Sequence, residues 1–380
     1  MTYRTVIHNG HDGFERARPQ WEALAPHAQF FFQLPQWLEN LEADGISWFV
    51  VMDDDRPVAA AALSAQRTSV FGKGVRLLGG VQPTFDGKKG HDLLFGALAI
   101  ADPTADQHAI ARALLAGYRH TNAHWDVLWL NQLREGSLWL ASGLGHIDQH
   151  SNAGACILDT TMPSSQFWAA ATRNLKKGLR GKRRCMEREG RRSAVIEATT
   201  PDQVTTAFEH FVNLEGRGWK GSTDAFVNQP QTADFVRRFL VSAATSHRVS
   251  VRSLLIDDRL AASQISVQVG DTLFLLKITY DESLHHLSPG NLLMADLVSK
   301  ACDDPSISRI DCLTRGDWHE RWGMAVTPMY RLILFNPRTL TGFAAGTAWR
   351  GLRAVGLLQY YERSESWRAP AARSVDSGCD

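Results

Sequence analysis

The sequence has few cysteines and no long apolar run, and both shortages exclude classes of protein. Its five cysteines are scattered and form no Cys-x-x-Cys pair: Cys156, Cys185, Cys302, Cys312 and Cys379. An odd number of isolated thiols argues against a disulfide framework or a zinc ribbon and fits a reducing compartment. No stretch reaches the ~20 apolar residues of a membrane span, and the N-terminus shows no apolar signal-peptide core. We therefore expect a cytoplasmic protein without a membrane span.

Net charge is also nearly absent. The chain carries 41 Lys and Arg against 40 Asp and Glu, so no global field attracts it to nucleic acid or to a membrane. No helix-turn-helix or zinc finger indicates stable DNA binding, and the adjacent His285 and His286 lack the spacing of a metal site. The sequence also lacks a Gly-x-Ser-x-Gly elbow and a dinucleotide fingerprint. We expect no metal, and nothing indicates the oligomeric state.

What the chain does have is ordinary globular composition, with 380 residues of which 44% are apolar. That length suggests at least two domains. Both halves show helices, an antiparallel meander, a helix and further strand, a repeat of pattern without residue identity. The pattern predicts an α/β (α+β) fold of two tandem domains, each a mixed, largely antiparallel sheet flanked by helices. We place these at residues 1–163 and 193–336, with a connecting helix over 164–192 and a C-terminal helix and tail over 337–380.

Residues 273–297 are the most informative segment. A strand ends in KITYDESLHHLSPG and a helix begins at Asn291. A helix N-terminus after a glycine turn offers unpaired N–H groups and a positive dipole end, which suit a phosphate or pyrophosphate. We therefore take Ser288, Pro289, Gly290 and Asn291 as cofactor-binding candidates, with Ser288 as a cap. The alternative is an ordinary capped helix.

The sequence also predicts one long helix from Gln166 to about Glu189, with many basic residues and only two acidic ones near its end. Its cations can share one broad face, and Lys176 and Arg180 represent that face as substrate-binding candidates. The face is either solvated or grips an acidic ligand such as a nucleotide sugar, a lipid-linked phosphate or an acyl carrier protein. Interleaved aromatic residues are absent, which argues against stacking on single-stranded nucleic acid.

Four stretches together resemble a known family. They are FWAAATRNLKKGLRGKRRCMEREG at 167–190, LEGRGWKGSTDAF at 214–226, LKITYDESLHHLSPGNLL at 276–293 and DCLTRGDWHERW at 311–322. In order and spacing they resemble the acetyltransferase domain of the CelD-like cellulose-biosynthesis group of the GNAT superfamily, which is similar to the Fem aminoacyltransferases. The first half is similar to the degenerate partner GNAT fold of such chains.

The sequence departs from this family in several places. After Trp219, Lys220 and Gly221 the family's Gly-Thr-Ala is replaced by residues 222–225, which are Ser-Thr-Asp-Ala. Leu276 replaces a frequent aromatic, and Arg321 stands where a lysine is frequent. The Arg/Gln-x-x-Gly-x-Gly/Ala loop that holds acyl-CoA in ordinary GNAT enzymes is replaced by Ser-Pro-Gly-Asn. These departures concern the substrate pocket and the donor more than the fold.

The resemblance implies acyl transfer from acetyl-CoA or another acyl-CoA to an amine or hydroxyl of a small or sugar-linked acceptor, in surface polysaccharide synthesis. Such chemistry needs a base, an acid for the leaving thiolate and charge to stabilise the oxyanion. The catalytic candidates are Lys277 for the oxyanion or phosphate, Tyr280 for the thiolate, and Asp281 or Glu215 as the base. The substrate-binding candidates are Trp219, Lys220, Asp317 and Trp322.

Purely structural roles remain open for four of these residues. Lys277 could extend from a strand edge, Tyr280 could pack in the core, Asp281 could belong to the turn and Trp219 could close the core. Two other functions also remain open. One is Fem-like transfer from aminoacyl-tRNA, and the other is a non-catalytic protein that binds a polysaccharide precursor or a synthase partner.

Overall fold

The computed structural model describes residues 3–10, 12–41, 45–70, 73–81, 84–85, 88–89, 98–120, 125–218, 225–246 and 248–354. Trp219 and Lys220 lie outside these ranges, as do residues 355–380 of the predicted tail. Within the ranges, no helix has the length and apolar character needed to cross a bilayer.

The first half alternates strands and helices in chain order. Its elements are β1 (Arg4–Asn9), α1 (Gly13–Leu24), α2 (Pro35–Leu38), β2 (Ile46–Asp53), β3 (Arg56–Val70), β4 (Lys73–Gly80), β5 (Thr84–Phe85), β6 (Lys88–Lys89), β7 (Ala99–Ala101), α3 (Gln107–His120), β8 (Val127–Leu133), α4 (Leu138–Ala141) and β9 (His146–Asp159).

The second half repeats this order after two linking helices. Its elements are α5 (Ser164–Ala170), α6 (Arg173–Arg188), β10 (Ser193–Ala198), α7 (Pro201–Arg217), α8 (Pro230–Ala244), β11 (Val249–Ile256), β12 (Arg259–Val269), β13 (Thr272–Tyr280), α9 (Pro289–Asp303), β14 (Arg309–Asp311), β15 (Ala325–Phe335) and α10 (Leu340–Ala354). Two 3-10 helices, Glu282–Leu287 and Asp317–Trp322, follow β13 and β14.

Local sequence explains the boundaries of the second half. Pro201 begins α7, and Gln203 bonds back to the N–H groups before it in a capping box. Asp257 and Asp258 adopt positive φ between β11 and β12, the geometry of a tight hairpin turn that aspartate tolerates. Gly270 has φ +57° between β12 and β13, where a side chain would be strained.

A single 13-stranded sheet runs through both halves. Its order is β1-β2-β3-β4-β8-β15-β9-β14-β13-β12-β11-β10, with β7 also paired to β3. All described pairs are antiparallel except β4 with β8 and β13 with β14. The predicted fold class, a mixed and largely antiparallel sheet flanked by helices, is confirmed.

The two halves exchange strands at the centre of this sheet. β9 lies in the segment predicted as the first domain but pairs with β14, while β15 pairs with β8. β9 and β15 also pair with each other. With a boundary near residue 163, each half therefore completes its sheet with a strand from the other half. The predicted bounds at 163, 192 and 336 stay a prediction.

The long basic helix was predicted wrongly as one continuous element. It is two helices, because Ala171 and Thr172 have extended backbone with ψ of 147°. The Thr172 side chain accepts a hydrogen bond from the Leu175 N–H at 3.3 Å and so caps α6. A threonine between helical segments is a good N-cap because its hydroxyl satisfies an N–H that has no partner inside the helix.

Candidate active site

The candidate site lies where β13 separates from its parallel neighbour. β13 and β14 pair over three positions only, from Thr272 with Arg309 to Phe274 with Asp311. β13 then continues to Tyr280, and the register between β13 and β12 shifts at Leu276, which is a β-bulge. A bulge bends a strand and re-aims its side chains. The end of β13 therefore borders a gap in the sheet instead of a paired neighbour.

A cavity of about 440 Å³ lies at this gap. It is lined by residues from β12 and β13, the start of α9, the end of α7 and both 3-10 helices: Glu215, Gly218, Gln264, Ile278, Thr279, Tyr280, Glu282, His285, Ser288, Gly290, Asn291, Met294 and Trp318. Of the fourteen site residues predicted from sequence, the structure brings five to this one cavity: Glu215, Tyr280, Ser288, Gly290 and Asn291.

The start of α9 gives the cavity one polar wall. Ser288 has left-handed backbone, with φ 49° and ψ 54°, which is costly for a residue other than glycine. Its side chain does not cap α9 as predicted; its hydroxyl instead donates to the His285 carbonyl at 3.4 Å. Pro289 has no N–H, and the Gly290 N–H makes no hydrogen bond within the described residues. This N–H and the helix dipole are therefore available to an anionic group.

Tyr280 and Gly290 face each other across the cavity. A Cβ placed on Gly290 would lie 3.5 Å from Cδ1 of Tyr280, so the tyrosine ring packs directly on the first turn of α9. Burial, with a smaller contribution from the nearby Glu282 carboxylate, raises the pKa of Tyr280. The phenol is therefore protonated at neutral pH and can donate a proton.

Glu215 is fully buried, with 0% of its surface exposed, although it carries a carboxylate. Its Oε1 lies 2.9 Å from the Nζ of Lys277, and its Oε2 accepts a hydrogen bond from the Phe226 N–H at 2.9 Å. The same Nζ lies 3.7 Å from the centre of the Phe226 ring. Lys277 thus stabilises the buried carboxylate, because an unpaired buried charge is costly.

Lys277 itself does not line the cavity. Side chains alternate along a strand, so Lys277 lies on the α7 face of the sheet, beside Glu215, whereas Ile278 and Tyr280 lie on the α9 face. The structure therefore places the ammonium group behind Glu215, away from the proposed phosphate position at the start of α9.

Asp281 and Trp322 have structural partners away from the cavity. Asp281 accepts hydrogen bonds from the N–H and the hydroxyl of Ser283, at 2.9 and 2.6 Å, and so caps the 3-10 helix that follows β13. Trp322 is 3% exposed and packs in the apolar cluster of the second half. Pro289 is buried at the start of α9. Asp317 begins the second 3-10 helix, and its side chain lies outside the described part of the chain.

Trp318 is the residue of the fourth motif that borders the cavity. Its ring lies 3.7 Å from the ring of His319, centre to centre. His319 is 2% exposed, and burial lowers its pKa despite a hydrogen bond with Gly316. A neutral, buried imidazole therefore supports the Trp318 wall.

Helix α6 carries a row of cations beside this site. Arg173, Lys177, Arg180, Arg184 and Arg188 recur at i, i+4, i+7, i+11 and i+15, and all five are exposed. At about 1.5 Å per residue the row is roughly 22 Å long. None of the five forms an ion pair with another described residue. Lys176 stands apart from the row and donates to the Ala169 carbonyl at 2.9 Å.

The apolar face of α6, opposite the cationic row, packs against the wall of the cavity. Leu179 and Met186 pack in one cluster with Leu284 and Leu287, and those two leucines belong to the 3-10 helix that lines the cavity. The Glu189 carboxylate also lies 3.4 Å from Nε2 of His286. The cationic row therefore runs outside the cavity wall.

Eight of the thirteen residues that line the cavity were not among the site residues predicted from sequence, and Gln264, Ile278 and Met294 are three of them. Gln264 is 1% exposed, and its Nε2 makes no hydrogen bond within the described part of the chain. A signal existed, because Gln264 is a glutamine inside the buried strand LAASQISV. The described residues contain no group of three or more His, Cys, Asp or Glu side chains that could hold a metal ion.

Comparison with known protein families identifies the segment that builds this cavity. Residues 173–322, from the start of α6 to the end of the second 3-10 helix, match the Acetyltransferase (GNAT) domain family. This segment is a GNAT acetyltransferase domain. All thirteen residues that line the cavity lie within it, and the chain is an acyltransferase.

Solved structures with similar folds cover nearly the whole chain. The C-terminal domain of a putative lysylphosphatidylglycerol synthetase from Agrobacterium fabrum has a TM-score of 0.50 and 9% identity, over 88% of this chain and 96% of that one. A conserved protein of unknown function from Bacteroides thetaiotaomicron has a TM-score of 0.49 and 10% identity, over 84% and 97%. A tandem GNAT protein from the clavulanic acid pathway has a TM-score of 0.45 and 12% identity, over 87% and 98%.

The curated proteins include no match to this chain. The similarity to the Agrobacterium fabrum domain, at 9% identity and a TM-score of 0.50, shows a shared fold, and a fold alone does not assign substrates. The CelD-like group stays a prediction, and so do the individual roles of the site residues.

Proposed function

We propose that the cavity between β13 and β14 is the acyl-donor site, and that the protein transfers an acyl group from an acyl-CoA to an amine or hydroxyl. The observation that carries this proposal is the convergence of Glu215, Tyr280 and the free Gly290 N–H on one cavity of a GNAT domain. A base, an acid and an anion-binding helix end are the groups that acyl transfer from a thioester requires.

The acceptor nitrogen or oxygen attacks the thioester carbonyl carbon, the new C–N or C–O bond forms and the C–S bond breaks. Glu215 takes the proton that the nucleophile loses, and the phenol of Tyr280 gives its proton to the leaving thiolate. Its raised pKa keeps that proton on Tyr280 until the thiolate forms.

The start of α9 would receive the phosphates of the donor. Gly290 offers its N–H, and its missing side chain leaves room for close approach. Asn291 lines the same wall and carries an amide that can donate to a phosphate oxygen. Ser-Pro-Gly-Asn thus takes the place of the usual CoA loop with fewer N–H groups, since Pro289 contributes none.

The acceptor class is proposed from the resemblance to the CelD-like group. That group favours an amino group on a sugar of a surface polysaccharide, and Trp318 is the aromatic wall on which a sugar face could pack. Trp219 and Lys220 follow α7, whose end also borders the cavity, and we keep them as acceptor-binding candidates.

The cationic row on α6 favours a second candidate, in which the acyl or aminoacyl group arrives on a larger anionic carrier. An acyl carrier protein or an aminoacyl-tRNA would be held by charge along the row, about 22 Å in length, while its thioester or ester enters the cavity. Arg180 belongs to this row, whereas Lys176 does not. The alternative of a non-catalytic binding protein predicts ligand binding in the cavity without turnover.

Calorimetry on the full chain with acetyl-CoA, longer acyl-CoAs and free CoA tests the proposal. We expect saturable binding that depends on acyl length and raises the melting temperature by mass action. A matched series at low and high salt with an acetylated carrier protein and an aminoacyl-tRNA tests the second candidate, because binding along an exposed cationic row weakens with ionic strength. A well-folded protein that binds no acyl-CoA would refute the first proposal.

A further inference from the structure

Gln264 is a buried amide in the cavity wall whose Nε2 has no hydrogen-bond partner in the described part of the chain. It lies on β12 directly opposite Ile278 of β13, and it is 1% exposed. Its Nε2 makes no hydrogen bond within the described residues. Leaving a buried donor unpaired costs about 1–3 kcal/mol, so a buried amide of this kind is expected to have a partner.

The surroundings of Gln264 limit what that partner can be. Ile278 lies opposite Gln264 and packs in one apolar cluster with Met294, and both side chains line the cavity. Neither side chain carries a charge or a hydrogen-bonding group. A charged ligand group would lose its hydration there and gain only one neutral donor in return, which is unfavourable. A neutral acceptor, such as the carbonyl oxygen of an amide or a thioester, loses much less and pairs with the N–H.

We propose that Gln264 forms a subsite that donates a hydrogen bond to a neutral carbonyl oxygen of the bound ligand. This inference rests on the proposed function, since it takes the ligand to be an acyl thioester. Two carbonyl sources share this chemistry, namely the thioester carbonyl and the amide carbonyls of the pantetheine arm. Gln264 is in both cases a binding residue that selects ligands with an acceptor at this depth of the cavity.

The chain offers a matched control on the same strand. Gln268 is also on β12, but its Nε2 donates to the carbonyls of Gly270 and Ser306, each at 3.2 Å. Gln268 does not line the cavity. Replacing each glutamine by methionine keeps the side-chain length and removes the amide, so the two variants differ in whether a hydrogen bond inside the protein is lost.

The experiment compares the melting temperature and the affinity for acetyl-CoA and for free CoA in three proteins: the parent, Gln264→Met and Gln268→Met. We expect Gln264→Met to melt at or above the parent temperature and to bind acetyl-CoA about 3- to 10-fold more weakly, since one hydrogen bond is lost. Gln268→Met should melt lower and bind as the parent does. Weaker binding of acetyl-CoA alone assigns the thioester carbonyl, and weaker binding of both ligands assigns the arm.

Two results would overturn the subsite. One is unchanged affinity for both ligands in Gln264→Met. The other is a melting temperature that falls as far as in Gln268→Met, which would show that the amide already has a partner in the free protein. A parent protein that binds neither ligand would instead refute the proposed function, while the melting comparison would still decide whether Gln264 is unpaired.

Discussion

The two halves of the sheet carry cavities at corresponding positions. In each half one parallel pair, β4 with β8 or β13 with β14, is hydrogen-bonded over three positions only. In the second half α9 follows β13, and in the first half α3 follows β7. The cavity in the second half has a volume of about 440 Å³, whereas the one at the end of β8 and the start of α3 has about 230 Å³. Shared topology therefore does not determine what each cavity can bind.

The difference begins in the strand that leads to each helix. β13 is one continuous strand with a single bulge at Leu276, and it stays paired with β12 up to Tyr280. In the first half, β3 pairs with β4 over Leu63–Val70 and then with β7 over Ala59–Ala61. The partner of β3 thus changes from β4 to β7, so the described part of the first half has no continuous strand like the one that brings Tyr280 to its helix.

The side chains differ as well. The first cavity is lined by four glutamines, Gln29, Gln33, Gln107 and Gln132, and by Arg134. Arg134 is already engaged, because it forms a buried ion pair with Asp311 and donates to the Leu313 carbonyl at 3.3 Å. Amides neither take nor give protons at neutral pH. The imidazole of His27 also lines the first cavity and can exchange a proton near neutral pH, but that lining contains no carboxylate or phenol to act with it. We infer that paired acid–base chemistry belongs to the second cavity, where Glu215 and Tyr280 lie.

The largest effect should come from removing the base of the second cavity. We expect Glu215→Gln to lower kcat about 100- to 10,000-fold, because a general base contributes that much, with little change in donor affinity. The matched change in the first cavity is Gln132→Met, which removes an amide oxygen that has no partner in the described chain and should change kcat less than twofold. Steady-state kinetics on both variants, with melting curves as the folding control, tests this.

Equal losses of kcat in these two variants would contradict the assignment of acid–base chemistry to the second cavity, since the first cavity would then take part in turnover. A fall in melting temperature of Glu215→Gln that matches its loss of activity would show that the carboxylate is structural. The double variant Glu215→Gln/Lys277→Met separates these effects by also removing the ammonium group that the single change leaves without its counter-ion.

The next largest effect concerns the buried ion pair between the two halves, Arg134 with Asp311. Arg134 follows β8 and Asp311 ends β14, and both are nearly fully buried. Arg134→Met leaves a buried carboxylate unpaired, and we expect it to lower the free energy of unfolding by about 3–5 kcal/mol. Urea unfolding followed by tryptophan fluorescence and by circular dichroism should show one transition in both probes, because the exchanged strands tie the halves together.

The double variant Arg134→Met/Asp311→Asn is the control for this prediction. Asparagine keeps an acceptor for the Leu313 N–H, which now bonds Asp311 at 2.7 Å, and it removes the unpaired charge. We expect it to recover most of the lost stability. Two separate transitions in Arg134→Met would show instead that the two halves are domains that fold independently.

Much of this architecture was predictable from sequence. The features that were not predictable were missed for physical reasons. The alternation of helix and meander predicts each half, because periodicity and turn residues such as Asp257 and Gly270 act locally. The exchange of β9 and β15 was not predictable, since the sequence of a strand does not determine which strand pairs with it. The break at Thr172 was missed because a threonine is compatible with both a helix interior and a cap.

The site shows the same limit. The segment from Tyr280 to Asn291 was predictable because a strand end, a glycine and a helix start are adjacent in sequence. The role of Lys277 was not, because its partner Glu215 is 62 residues away. Gln264 was missed because a glutamine in a buried strand is a weak signal by itself, and its lack of a partner is seen only in three dimensions.

The smallest of the three effects concerns Tyr280, which has no counterpart among the residues that line the first cavity. A thiolate leaves readily, so we expect Tyr280→Phe to lower kcat only about 10- to 100-fold at neutral pH. The sign of the pH dependence follows from the raised pKa of the phenol. Because the acid form is the active one, the parent rate should persist past the ordinary tyrosine value of about 10 and fall only above it.

In Tyr280→Phe this alkaline fall should vanish while the lower rate stays level with pH. Rate measurements from about pH 7 to about pH 11.5, with the melting temperature taken at each pH, separate titration of the acid from unfolding. A variant that keeps the alkaline fall of the parent would assign that titration to another group. The second cavity would then differ from the first through Glu215 and the helix end alone, with Tyr280 as a packing residue against Gly290.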